Sequence, residues 1–163
     1  MVNPTPDEWD AVKRDPDSVS GPTSHEAAIS AVLLQEVIDA LRAGVPNEAC
    51  GILVSDRYWA AGGSALRWRS MRNAAESPYR YLIDSDEQFR VWMELDDADE
   101  VVWAIVHSHV ASVAVPSQTD VGLAFYPDSL YVVCSLTDFD HPTLRAWTIA
   151  DGAVSEVSLL VTE

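Results

Sequence analysis

The most apolar run of the chain, residues 101–106 (VVWAIV), ends directly in a His-x-His pair. A continuous apolar run of this length predicts a strand that is buried on both faces, in the middle of a sheet. Side chains two residues apart on an extended strand point to the same side, with Cα atoms about 6.6 Å apart. We therefore expect His107 and His109 to share one side of a central strand's end, where two imidazoles can converge on one metal ion.

A carboxylate follows the two histidines at a short distance. Residues 117–125 predict a short helix, with Ser117 as its N-cap and Asp120 at the third helical position. Two imidazoles and one carboxylate suit Zn²⁺, and three protein ligands leave the fourth position open, as in catalytic zinc sites. The plainer alternatives are two ordinary histidines at a strand end and a helix cap without a metal. Both explanations of Asp120 are compatible, because the start of a helix is a rigid mount for a ligand.

These residues resemble the signature of the JAMM (MPN-plus) metallopeptidase family. The signature is His-x-His, seven residues, Ser, two residues and Asp, present here as HSHVASVAVPSQTD, with an upstream Glu in PNEACGIL. Many members have Pro after the second His, where this chain has Val110, a difference that concerns loop shape and leaves the ligands intact. The resemblance implies a Zn²⁺ site formed by His107, His109 and Asp120. It also implies that Glu48 is the general base and that Ser117 is the oxyanion donor. Without the resemblance, Glu48 would be interpreted as an exposed acid after a turn.

A wider similarity narrows the expected substrate. Over roughly residues 30–160 the chain is similar to the bacterial Mec-type sulfur-carrier-protein–cysteine hydrolases, in NEACGIL, RNAAESPYRYLIDSDEQFRVWMELDDADE, the histidine motif and ADGAVSEV. The resemblance implies hydrolysis of the amide after the C-terminal Gly-Gly of a small ubiquitin-like sulfur carrier, with release of cysteine or a short extension. Residues 73–81 would be one wall of the groove for the carrier tail, or else an ordinary loop. The alternatives are an MPN-type binding or scaffold module that retains the metal residues, and a deubiquitinase-like isopeptidase.

The remaining pattern predicts one α/β domain with a helix packed on each side of a mixed sheet. Residues 1–25 are rich in Pro and acids and predict a flexible acidic N-terminal arm. Residues 26–163 then form a single JAMM/MPN-like domain, a mixed and curved β-sheet flanked by helices. Helices are expected over residues 27–42 and 85–97, a hairpin over 57–71, and further strands over 50–55, 79–83, 130–136, 143–150 and 154–161.

Charge and cysteine content limit the other classes of function. The formal net charge of −16 argues against nucleic acids and anionic membranes, which are bound through Lys and Arg. No apolar run approaches the roughly 20 residues that span a bilayer, and the N-terminus lacks the apolar core of a signal peptide, so we expect a cytoplasmic protein. The two cysteines have no zinc-knuckle spacing and are expected to be buried thiols. Cys50 as a nucleophile with a histidine base is the weaker alternative.

Overall fold

The computed structural model describes residues 26–163, so the acidic arm predicted over residues 1–25 lies outside the described residues. Helices are interspersed with strands up to residue 135, and strands and turns follow from there. The chain runs through β1 (Ala27–Ser30), α1 (Ala31–Ala43), β2 (Cys50–Ser55), a 3₁₀ turn (Trp59–Ala61), β3 (Arg67–Met71), α2 (Ser85–Asp97), β4 (Val101–His109), α3 (Gln118–Gly122), β5 (Leu130–Ser135), β6 (Thr143–Ala150), β7 (Ala153–Val157) and β8 (Leu159–Thr162).

The main sheet has six strands in the order β3-β2-β4-β5-β6-β7. The strands β4 and β5 pair in parallel, and every other pair of neighbouring strands in this sheet is antiparallel. The sheet is therefore mixed, as the sequence predicts. The apolar run of residues 101–106 lies in β4, between β2 and β5, where both edges of the strand are hydrogen-bonded. A second, two-stranded sheet pairs β1 with β8 in parallel.

A helix covers each face of the main sheet. The buried side of α1 presents Leu33, Val37 and Leu41 to one core cluster. The buried side of α2 presents Val91 and Leu95 to the cluster on the opposite face. The predicted architecture, a mixed sheet flanked by helices, is confirmed. No helix within residues 26–163 is long and apolar enough to cross a membrane.

An irregularity in β4 sets which face the two histidines occupy. Leu53 is paired with Ala104 but Val54 is paired with Val102, so Trp103 is one extra residue in β4. A bulge of this kind reverses the inward and outward alternation of the strand that follows it. Ile105 packs in the cluster below α2 as a result, and the side chains at positions 107 and 109 point to that same face.

Two predicted elements at the chain ends are wrong in type or extent. The helix expected over residues 27–42 begins only at Ala31, with Ser30 as N-cap accepting a 3.2 Å hydrogen bond from Leu33 N. The single strand expected over residues 154–161 is divided into β7 and β8. Both errors have one cause, because β1 and β8 are strands through their pairing with each other, which no local pattern reveals.

Two predictions around β3 also need correction. Residues 57–63 form a loop and a 3₁₀ turn, so the hairpin partner of β3 is β2 rather than a strand before Gly62. The strand expected over residues 79–83 is a loop with one isolated bridge between Asn73 and Ile83. The helix α2 has the predicted bounds, and its N-cap is Asp84, whose carboxylate accepts from Glu87 N.

Candidate metal centre and active site

The two histidines lie at the carboxyl end of β4 and are fixed by both neighbouring strands. His107 is paired with Cys50 of β2 and with Val133 of β5. His107 is 1% exposed and His109 is 4% exposed. Their Nε2 atoms are 3.1 Å apart, so the side chains converge as the spacing predicts.

Asp120 reaches the histidines from the start of α3. Ser117 Oγ accepts a 3.1 Å hydrogen bond from Asp120 N, and Ser117 N donates a 2.7 Å hydrogen bond to Asp120 Oδ2. The predicted capping motif is therefore present. The same Oδ2 atom lies 3.2 Å from Nε2 of His107 and 3.2 Å from Nε2 of His109. One carboxylate thus completes both the capping box and a cluster of three possible metal ligands.

The cluster has the dimensions of one face of a tetrahedral zinc site. Its three atoms form a nearly equilateral triangle with edges of 3.1, 3.2 and 3.2 Å. Ligands about 2.0–2.1 Å from a tetrahedral zinc ion are separated by about 3.3 Å. Lone pairs facing one another at these distances repel, so a proton or a cation must lie among them. The donor set, two imidazoles and one carboxylate, fits zinc.

Hydrogen bonds outside the cluster prepare His109 as a ligand. Its Nδ1 atom lies 2.8 Å from the carbonyl oxygen of Val113, which can only accept. Nδ1 must therefore carry a hydrogen, which turns Nε2 toward the cluster, and with a metal ion bound there the neutral ring would offer the Nε2 lone pair to it. Burial raises the pKa of Asp120, but the hydrogen bonds from His107 and His109 outweigh burial and hold that pKa well below its ordinary value. The carboxylate is thus ionised, as a ligand must be.

Glu48 is buried two residues before β2, the strand that pairs with the end of β4. It is 4% exposed, so an exposed acid after a turn is the wrong interpretation. Its Oε2 atom has no hydrogen-bond partner in the described part of the chain. The pKa of Glu48 is raised to about 7, chiefly by burial, while the charge of His109 opposes the rise and the charge of Asp120 adds to it. A buried, unpaired carboxylate with a pKa near neutrality is suited to accept and return a proton.

Ser117 is exposed and is hydrogen-bonded to Asp120 of the cluster. Its Oγ atom accepts the capping bond from Asp120 N, which leaves the hydroxyl hydrogen for another acceptor. A substrate carbonyl oxygen is such an acceptor. The assignment of Ser117 as oxyanion donor stays a prediction.

Tyr81 contacts His107, which the sequence pattern does not reveal. Its ring is 6% exposed and stacks on the ring of His107, with centroids 4.1 Å apart and planes 21° apart. A cleft of about 120 Å³ opens beside this pair, lined in part by Tyr81, Ile105 and Leu123. A larger cavity of about 210 Å³ lies against Val101 and Val102, at the opposite end of β4, and is not part of this site.

The cysteines do not offer a rival nucleophile. Burial raises the pKa of the Cys50 thiol to about 12, and that of the Cys134 thiol to about 12 as well. Both side chains are in the core, as the sequence predicts. A thiol with such a pKa is almost wholly protonated at neutral pH and is a poor nucleophile.

The raised pKa of Glu48 predicts that this carboxylate lowers the stability of the metal-free fold. Its pKa is raised from 4.5 to about 7, so the folded state favours the protonated form. The stability that the group contributes is present below pH 4.5 and is lost as the pH rises through 7. In EDTA-treated protein, the free energy of unfolding of Glu48→Gln relative to wild type should therefore rise by roughly 1–3 kcal/mol from pH 5 to pH 8. Urea unfolding at both pH values measures the difference, and equal differences at the two would contradict it.

Comparison with known proteins adds a family match and curated relatives. Residues 30–150 match the family described as prokaryotic homologues of the JAB domain. The chain is 41% identical over 141 residues to the CysO-cysteine peptidase of Mycobacterium tuberculosis, a match that covers 86% of this chain and 94% of that protein. It is 28% identical over 130 residues to the desampylase of Haloferax volcanii, covering 77% of this chain and 91% of the relative.

Solved structures share the architecture. A solution structure from Desulfitobacterium hafniense matches with a TM-score of 0.73 and 28% identity, covering 84% of this chain and 93% of that chain. A JAB1/MPN domain protein from Archaeoglobus fulgidus matches with a TM-score of 0.54 and 16% identity, covering 85% and 99%. At that identity the second match shows the fold alone. The predicted fold class is confirmed.

Proposed function

This chain belongs to the family of prokaryotic JAB-domain homologues, as its resemblance to the JAMM metallopeptidases implies, and we propose that it is a zinc-dependent amide hydrolase. The proposed substrate is a small ubiquitin-like sulfur-carrier protein. The enzyme cleaves the amide after the carrier's C-terminal Gly-Gly and releases cysteine or a short C-terminal extension.

The observation that carries the proposal is the triangle of ligand atoms beside a buried, unpaired carboxylate. His107, His109 and Asp120 supply three converging donors at 3.1–3.2 Å, which leaves one tetrahedral position for the reaction. Glu48 is buried beside them without a hydrogen-bond partner for Oε2 among residues 26–163. A scaffold has no use for such a carboxylate, whereas a hydrolase needs one as a proton carrier.

Each residue has a defined task in amide hydrolysis. His107, His109 and Asp120 would hold a zinc ion, which would supply the Lewis acidity that activates water at neutral pH and polarises the scissile carbonyl. Glu48 takes the proton from the attacking water and delivers it to the leaving amine, which an amide requires because the amide anion is a poor leaving group. The hydroxyl of Ser117 donates to the carbonyl oxygen as negative charge develops there. The capping bond to Asp120 N holds Ser117 Oγ in place for this.

Two relatives support a carrier protein as the substrate. The name of the mycobacterial relative, CysO-cysteine peptidase, gives the substrate of that protein, and the haloarchaeal relative is a desampylase. The described domain is compact around the site, since only residues 123–129 connect α3 to β5. The neighbouring cleft of about 120 Å³ is small, which favours a narrow glycine tail over a bulky one.

Two other functions remain distinguishable by experiment. A scaffold module of the same family predicts no hydrolysis of any carrier adduct, even with zinc bound. A deubiquitinase-like isopeptidase predicts cleavage of linked ubiquitin in preference to the carrier. Zinc analysis of protein purified without added metal, followed by assays on both substrates, separates the three.

We expect the enzyme to release cysteine from a carrier that ends in Gly-Gly-Cys. Replacing the carrier's last Gly by Ala or Val should slow cleavage by about 10–200-fold, because one or more added carbon atoms must fit beside the metal. Mass spectrometry of the carrier–cysteine adduct over time measures the rate. Linked ubiquitin chains serve as the competing substrate. Efficient cleavage of ubiquitin chains with the carrier adduct left intact would refute the carrier proposal and leave the hydrolase proposal standing.

A further inference from the structure

We propose that Asn73 is a positioning residue of this site, whose side-chain amide ties the general base to the ring stacked on a metal ligand. The inference rests on the proposed function, in which Glu48 is the base and His107 a ligand. Asn73 touches neither zinc nor the reacting atoms and acts through these two neighbours.

The amide of Asn73 uses its whole hydrogen-bonding capacity within its own loop and with Glu48. Nδ2 donates to Glu48 O at 2.9 Å and to Arg80 O at 3.1 Å. Oδ1 accepts from Leu82 N at 2.9 Å and from Ala75 N at 3.0 Å. Two carbonyl partners on one side and two N–H partners on the other fix the orientation of the amide.

These bonds fix the backbone of Glu48. Its carbonyl oxygen is held by Asn73, and its N–H donates to Ser77 O at 2.9 Å in the same loop. The next residue is held from the other side, because Ala49 N donates to Ser108 Oγ at 2.9 Å. The Oε2 atom of Glu48 has no partner among the described residues, so side-chain bonds to that oxygen do not place it. The backbone around Glu48 must therefore set where the base lies.

The same amide also places Tyr81. Its partners Arg80 O and Leu82 N belong to the two residues that flank Tyr81. Tyr81 stacks on His107 at a centroid distance of 4.1 Å. The Nδ1 atom of His107 is buried and finds no hydrogen-bond partner within residues 26–163, whereas that of His109 is bonded to a carbonyl. The ring of His107 is thus oriented by packing, where a metal-ligating histidine ordinarily relies on a hydrogen bond.

The loop has little regular structure, so the bonds of this side chain add to a few backbone bonds such as that from Ala74 N to Leu82 O at 2.7 Å. Between β3 and α2 it contains an isolated bridge, Asn73 to Ile83, and no strand or helix. Asn73 lies two residues after β3 and makes three bonds within the loop and a fourth to Glu48. A displacement of the base by about 1 Å can cost about 10²-fold in rate. The geometry assigns Asn73 the task of preventing that displacement.

The test compares Asn73→Asp with a matched variant in another loop. Asn73→Asp keeps the shape and the acceptor but loses both donors, and it places an oxygen against Glu48 O and Arg80 O. Asp138→Ala removes a similar loop-organising side chain between β5 and β6, where Asp138 Oδ1 accepts from Asp140 N and His141 N. We expect Asn73→Asp to lower kcat about 10–10²-fold at full zinc content with KM changed less than about threefold. Asp138→Ala should leave both constants unchanged.

Hydrogen–deuterium exchange gives a second readout that does not need activity. In zinc-loaded and in EDTA-treated protein, Asn73→Asp should speed exchange of the Glu48 amide, because the Glu48 carbonyl loses its donor, and leave the centre of β4 protected. Should Asn73→Asp fail to fold, Asn73→Ala removes both donors and the acceptor without adding a charge and should change kcat and the Glu48 exchange in the same direction. Unchanged kcat and exchange would overturn the proposal, as would a kcat loss that follows zinc loss. If the wild-type protein hydrolyses no carrier adduct, the proposed function is refuted instead. The exchange result then still tests whether Asn73 holds the backbone of Glu48.

Discussion

Replacing Asp120 by Ala is expected to remove most of the zinc that the protein retains after purification, and His107→Ala should do the same. Wild type should hold a single zinc ion per chain. Each variant leaves two of the three converging ligands, and loss of even a supporting contact to a ligand typically costs 10–100-fold in metal affinity. Inductively coupled plasma mass spectrometry after dialysis against a weak chelator measures the zinc content. We expect less than about one tenth of the wild-type value in both variants.

The two roles of Asp120 can be separated by a second substitution. Asp120→Asn keeps an oxygen that can accept from Ser117 N, so the helix cap is preserved, but it removes the negative charge. Asp120→Ala removes the bond from Ser117 N as well and keeps the bond of Ser117 Oγ to the backbone N–H of residue 120, so it costs a further 0.5–1.5 kcal/mol, roughly, in stability. Both should lose zinc, and only the Ala variant should also lose the stability of the bond from Ser117 N. His141→Ala is the control, because His141 is exposed in a turn away from the cluster. Full zinc retention in His107→Ala and Asp120→Ala would refute the assignment of the ligands.

The sequence predicts most of the candidate metal centre because each part follows a local rule. Alternation along β4 puts the two histidines on one side, and the capping pattern puts Asp120 at the start of α3. The histidines and Asp120 converge to 3.1–3.2 Å as those rules imply. Glu48 is different, since its approach to the cluster depends on the pairing of β2 with β4, and only the family resemblance singles it out.

The features that the sequence did not predict all depend on distant pairings. The strand character of β1 and β8 exists only in their mutual pairing, and the extra residue Trp103 in β4 is visible only against β2. The stacking of Tyr81 on His107 follows from the loop that Asn73 organises, and neither residue stands out by periodicity. The acidic arm over residues 1–25 and the cytoplasmic location stay predictions.

Glu48→Gln should separate the chemistry from the binding of the metal. The variant keeps the size and burial of the side chain and all three proposed ligands, so we expect full zinc content and an intact fold. It removes the only group beside the cluster that is proposed to carry the proton from water to the leaving amine. Proton transfer by a positioned side chain contributes about 10²–10⁴-fold, and kcat for release of cysteine from the carrier adduct should fall by that factor. KM should change little, because Glu48 is not proposed to bind the carrier.

The matched variant is Glu87→Gln, an acid of α2 whose carboxylate accepts from Arg72 N at 2.7 Å and that has no proposed part in the chemistry. It should keep near-normal kcat. Near-normal kcat in Glu48→Gln would instead mean that this buried carboxylate has no role in proton transfer. The unfolding measurements complete the argument, because the carboxylate with a pKa of about 7 weakens the metal-free fold at pH 8. A variant that is more stable without metal, binds zinc fully and has lost hydrolysis would show that the fold tolerates a destabilising acid at this position for its chemistry.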